Sequence, residues 1–85
     1  MQNKTQYLVC KLQEEAAEVI QAVSKINRFG EQNRHPERTT TNKQELVAEL
    51  EDFLAILAVL EHTGWLDLTP SKGNIANKAQ QLLKG

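Results

Sequence analysis

Apolar side chains recur along this chain at helical spacing in two long stretches and one shorter stretch. No segment shows the strict alternation of a strand, so the class is all-α. The first stretch runs from Thr5, a capping residue, to about Phe29, with Gly30 as a left-handed stop. Residues 30 to 41 are polar, contain Gly30 and Pro36, and read as a loop. Thr41 or Asn42 then caps a second helix, since Thr41-x-x-Gln44 and Asn42-x-x-Glu45 both fit a capping box; it runs to His62 or Thr63 and ends at Gly64. Thr69-Pro70 reads as a cap with proline at the first helical position, and Gly73 weakens that start, leaving Asn74 to Lys84 as the firm part of a third helix. The expectation is a helical hairpin plus a shorter C-terminal helix, forming one domain over 1–85.

At about 100° per residue, Leu8, Leu12, Val19, Val23 and Ile26 form one apolar stripe on the first helix. Glu15 lies at the edge of that stripe, Glu18 one step further round, and Glu14 further still. On the second helix Leu46, Leu50, Phe53, Leu57 and Leu60 form the stripe, with Glu49 on its flank and Asp52 beyond it. Val47, Leu54 and Ala58 cover another side, so this helix is apolar round most of its circumference and needs cover from several directions. Three helices of one small chain can hardly supply it, so a homo-oligomer is expected, a dimer or a dimer of dimers.

Composition removes several classes. The net charge is −1, from 10 basic and 11 acidic residues, against the basic excess of a general nucleic-acid binder. No apolar run approaches the roughly 20 residues of a membrane span, and the polar start, Met1 to Gln6, lacks a signal-peptide core. A cytoplasmic protein is expected. Cys10 is the single cysteine and reads as an inert helical side chain.

The remaining feature is acidic. Glutamates on helices usually face solvent, and one Glu-Glu-x-x-Glu would mean little. Here Glu15 and Glu18 share a side at i and i+3, and Glu49 and Asp52 repeat that spacing on the next long helix. In an antiparallel hairpin the four carboxylates converge and repel unless a cation intervenes. Lys11, Lys25 and Lys43 are too few and flexible to neutralise them. Oxygen ligands alone select a hard ion, Mg²⁺ or Mn²⁺.

Glu14-Glu15-x-x-Glu18 followed by Glu49-x-x-Asp52 resembles the signature of the MazG-like, all-α nucleoside triphosphate pyrophosphohydrolases. The contexts Glu14-Glu15-Ala16-Ala17-Glu18-Val19, Ser24-Lys25-x-x-Arg28-Phe29-Gly30 and Glu49-Leu50-Glu51-Asp52-Phe53-Leu54 resemble small single-domain members found in phages and mobile elements. The likeness runs from about Leu8 to Leu60. The interval between the motifs, residues 19 to 48, is on the long side for that family. The resemblance implies a MazG-like bundle completed by oligomerisation and Mg²⁺-dependent cleavage of an NTP or dNTP between the α and β phosphates. It implies Glu15, Glu18, Glu49 and Asp52 as metal ligands, and Glu14 with Glu15 as catalytic groups, Glu14 in an outer shell or as proton acceptor. Lys25, Arg28 and Lys78 become substrate-binding candidates; as ordinary helix residues, Lys25 and Arg28 would complement the dipole at a C-terminus. Arg34, His35 and Arg38 read as solvated loop charges that could close over substrate. Trp65 reads as an anchor for the core or a dimer.

Two other classes compete. A di-iron or di-manganese redox bundle uses Glu-x-x-His motifs, and neither His35 nor His62 follows a glutamate at that spacing. A non-catalytic helical module that oligomerises and binds a nucleotide or partner is the alternative.

Overall fold

The computed structural model describes residues 3–85; the first two residues of the polar N-terminal segment lie outside them. Among the described residues there is no strand. Three helices form, α1 (Lys4–Phe29), α2 (Asn42–His62) and α3 (Lys72–Lys84), with a 3₁₀ turn at Thr69–Ser71 leading into α3. No described helix is long and apolar enough to cross a membrane.

The boundaries follow from their capping chemistry. Asn3, not Thr5, caps α1: the Gln6 amide donates to Asn3 Oδ1 at 2.8 Å, and the Asn3 amide donates to Gln6 Oε1 at 3.0 Å. Asparagine is the stronger cap of the two, and Gln6 at the third helical position completes a capping box, so the helix gains a start. Gly30 does stop α1, its amide donating to the Ile26 carbonyl at 2.8 Å. Its backbone, at φ 93° and ψ 153°, is extended with positive φ rather than left-handed helical, a region open essentially to glycine alone.

Thr41 caps α2 through the reciprocal pair with Gln44. That leaves Asn42 as the first helical residue, buried, where it fixes the preceding loop. Its amide donates to the Asn33 carbonyl at 2.7 Å and its side-chain Nδ2 to the Gly30 carbonyl at 3.1 Å. The Lys43 amide donates to the Glu31 carbonyl at 3.0 Å. The long loop is therefore laced to the start of α2.

Thr69 does not cap α3. Its own amide donates to Asp67 Oδ1 at 2.9 Å, and Pro70 lies inside the 3₁₀ turn. Leu68 and Ser71 already have right-handed helical backbones. The turn thus runs into α3 without a capping side chain, and Gly73 is accommodated in the first turn.

α1 and α2 pack as a hairpin. The end of α1 meets the start of α2 at Gly30 and Asn42, while Trp65, just past α2, faces Thr5, Gln6, Val9 and Cys10 near the start of α1. Leu8, Ala22 and Leu60 are buried between the helices, and Leu12, Val19, Ile26, Leu46, Phe53 and Leu57 are half-buried. Val23 and Leu50, expected on the buried stripes, are more than a third exposed, as are Val47 and Leu54 on the far side of α2. α3 packs against neither α1 nor α2; its sole neighbouring element is the 3₁₀ turn.

Candidate metal centre

Halfway along the hairpin, α1 contributes Glu15 and Glu18 and α2 contributes Glu49. One carboxylate oxygen from each lies within 4.8 Å of the other two. The i, i+3 step places the first pair on the side of α1 that meets α2. Glu15 and Glu49 are half-buried and Glu18 is exposed, so the cluster sits at the rim of the helix interface.

Two oxygens in this group carry the chemical information. Glu15 Oε2 and Glu49 Oε2 are shielded from solvent and have no hydrogen-bond partner. Buried carboxylate oxygens are normally satisfied, and an orphan oxygen on each of two clustered glutamates, one from each helix, fits a site for an oxygen-seeking cation. An octahedral shell with ligands at about 2.1 Å needs oxygens roughly 3 to 4 Å apart, so modest side-chain rotations would bring these three into range.

The electrostatics follow from that crowding. Desolvation is the chief cause that raises the Glu15 pKa above the ordinary 4.5, reinforced by the charges of Glu18 and Asp52. For Glu49 the chief cause is a hydrogen bond with Glu18, followed by desolvation and the charges of Glu18, Asp52 and Glu15. That bond exists only when one of the two carboxyls is protonated, since neither carboxylate is a donor.

The other expected residues separate into three groups. Asp52 stands beside the three-glutamate cluster, near enough to raise both pKa values but outside its closest set. Glu14 is exposed and paired with Lys11 at 3.3 Å, on the outer side of α1. Lys25 lines a groove of about 230 Å³ together with Glu18, Gln21, Arg38, Glu45 and Glu49, beside the cluster. Arg28 does not line that groove; its guanidinium lies over the ring of Phe29 at 5.0 Å from the centroid. Within one chain Lys78 is not brought to the site at all, because α3 packs on neither helix of the hairpin.

Arg38, read from the sequence mainly as a solvated loop charge, is an integral part of the groove. It pairs with Glu45, which also accepts from Thr40 Oγ1 at 3.3 Å. An adjoining cleft of about 250 Å³ shares Lys25, Arg38 and Glu45 and is walled by Phe29, His35 and Pro36. Gln21 and Glu45 were detectable by spacing: Glu18, Gln21 and Lys25 follow i, i+3, i+7, and Glu45, Glu49 and Asp52 follow i, i+4, i+7. Arg38 sits in a loop with no period to reveal it.

No protein-family model, curated protein or solved structure matches this chain.

Proposed function

We propose that this chain is a Mg²⁺-dependent pyrophosphohydrolase, cleaving a nucleoside or deoxynucleoside triphosphate to the monophosphate and pyrophosphate. The observation that carries the reading is the pair of shielded, unpartnered oxygens of Glu15 and Glu49 in a three-glutamate cluster, opening on a groove that holds Lys25 and Arg38. The resemblance of the two acidic motifs to MazG-like enzymes supports it.

In this reading Glu15, Glu18 and Glu49 hold the cation, and Asp52 adds charge beside them. Bound there, Mg²⁺ would offset the phosphate charge and acidify a coordinated water. Lys25 and Arg38 grip the terminal phosphates, Arg38 exchanging its Glu45 partner for phosphate oxygens, to which a guanidinium binds well in bidentate fashion. Water adds to the α-phosphorus as the bond to the β-bridging oxygen breaks, and pyrophosphate leaves. Glu14 is the proton acceptor suggested by the resemblance, a role that requires its ion pair with Lys11 to open. The protein needs no covalent nucleophile for this reaction.

Incubation with each NTP and dNTP in Mg²⁺, followed by product analysis, tests the proposal. The expected products are monophosphate and pyrophosphate. Release of orthophosphate would refute it. Absence of turnover together with retained metal binding would leave the non-catalytic nucleotide-binding module as the reading.

A further inference from the structure

We propose that the cleft beyond Lys25 and Arg38 receives a second nucleoside, so that this chain acts on dinucleoside polyphosphates as well as on triphosphates. The inference rests on the pyrophosphohydrolase reading and follows the order of groups along the hairpin. Glu15, Glu18 and Glu49 form the acidic cluster, the groove beside it holds Lys25 and Arg38, and the adjoining cleft is walled by Phe29, His35 and Pro36. At a rise of 1.5 Å per residue, Lys25 lies about 10 Å along α1 from Glu18, and Phe29 about 6 Å further on. Cleavage between the α and β phosphates at the cluster sends the β and γ phosphates towards Lys25 and Arg38, away from the nucleoside that carries the α-phosphate. A group in the cleft is therefore attached to the far end of the phosphate chain.

The walls of the cleft suit a nucleoside. Phe29 is 55% exposed, and the guanidinium of Arg28, which does not line the cleft, lies over its ring. A phenyl ring so placed gives a nucleobase a surface to stack on. His35 is fixed in the loop, its Nδ1 accepting from the Glu37 amide at 3.2 Å and its carbonyl from the Arg38 amide at 2.9 Å. Asn33 adds a carboxamide, both donor and acceptor, for a base edge.

Charge sets the length of the phosphate chain. Arg34 lines the cleft and not the groove, so it meets a phosphate beyond the two held by Lys25 and Arg38. With the α-phosphate at the cluster, the arrangement matches a dinucleoside tetraphosphate. An inorganic polyphosphate would use the cations and leave the apolar walls of Phe29 and Pro36 unused. Water bonds to the α-phosphorus as the bond from that phosphorus to the α–β bridging oxygen breaks, and one water proton is released. The products are one nucleoside monophosphate and one nucleoside triphosphate.

The experiment compares, in Mg²⁺, the four NTPs with the four symmetric dinucleoside tetraphosphates that carry the same bases. For the base that is hydrolysed, the dinucleoside tetraphosphate should have the higher kcat/KM, and its first products should be monophosphate and triphosphate in equal amounts. Phe29→Ala should lower the ratio of the two kcat/KM values by about tenfold or more, the effect of losing one stacked base. Phe29→Tyr should retain that ratio. Hydrolysis of an NTP with no preference for its dinucleoside tetraphosphate would overturn this inference and leave the pyrophosphohydrolase reading standing. Cleavage to two diphosphates would also overturn it, as would a Phe29→Ala protein that loses both substrates equally, which would put the triphosphate's own base in the cleft. Failure of every nucleotide to react would overturn the inference together with the reading beneath it.

Discussion

Glu15 and Glu49 are held in positions that oppose their own ionisation, so at these residues function and stability should move in opposite directions. Replacing Glu49 by Gln removes one of the repelling charges and supplies an amide that donates to Glu15 or Glu18. Without metal, Glu49→Gln should melt above the wild type, a gain of the kind seen when a site built for function is neutralised. With Mg²⁺ the order should reverse, and turnover should fall by about 10²-fold or more. Equal melting temperatures in chelator, or undiminished turnover, would remove Glu49 from the site. The same crowding sets a pH dependence. Both carboxyls hold protons more tightly in the fold than at the ordinary 4.5, so the native chain binds more protons than the unfolded chain between the ordinary and raised values. Their favourable contribution is complete below 4.5 and is lost as pH rises through the raised values. In chelator, the melting curves of wild type and Glu15→Gln/Glu49→Gln should therefore converge near pH 4.5 and separate towards about pH 7, with the variant higher. Parallel profiles would show that the two groups do not titrate abnormally.

Among the elements, the junction of loop and α2 decides whether Arg38 is in reach of the groove. Asn42 ties that junction with a side-chain bond to Gly30, which Asn42→Ala removes at a cost of about 1 to 2 kcal/mol. Thr41→Ala, which loses the cap alone, should cost about 1 kcal/mol. The two variants should differ in kinetics: loosening the loop at Asn42 should raise KM for nucleotide more than it lowers kcat, whereas Thr41→Ala should leave KM nearly unchanged. Similar KM values in both would mean that the loop does not position phosphate contacts. This junction also shows what was legible in the sequence. α1, α2 and the rows Glu15, Glu18 and Glu49, Asp52 could be read because helical period fixes direction. Cap residues and glycine stops located the ends of α1 and α2 to within a residue or two, with Asn3 preferred to Thr5 on the strength of its reciprocal bond with Gln6. The loop was not legible, because backbone bonds such as Asn42 to Asn33 and Lys43 to Glu31 depend on chain path and leave no mark on residue type. Arg38 therefore lines the groove without a sequence signal for it, and Lys78 lies on a helix that packs on neither α1 nor α2 within one chain.

On the scale of the whole molecule, two separate deficits remain in the single chain: an acidic cluster with two shielded, unpartnered carboxylate oxygens and apolar helix faces without cover. They lie on different sides of α2, since Glu49 turns towards α1 while Val47 and Leu54 turn away. If a cation relieves the first and a second copy the second, each should leave its own mark on thermal stability. Dimerisation makes melting depend on protein concentration; a tenfold increase is worth about 1.4 kcal/mol, or about 3 to 5 °C for a dimer of this size. Metal binding makes melting depend on Mg²⁺, by about 2.7 kcal/mol at a hundred times the dissociation constant. Glu49→Gln should abolish the Mg²⁺ response and keep the concentration dependence, because it alters the inner side of α2 alone. Wild-type melting that is independent of concentration would count against the dimer and leave the metal site standing. A Glu49→Gln protein that lost both responses would show that the cluster and the outer face are one coupled unit, with cation binding required to assemble the surface on which the second copy docks.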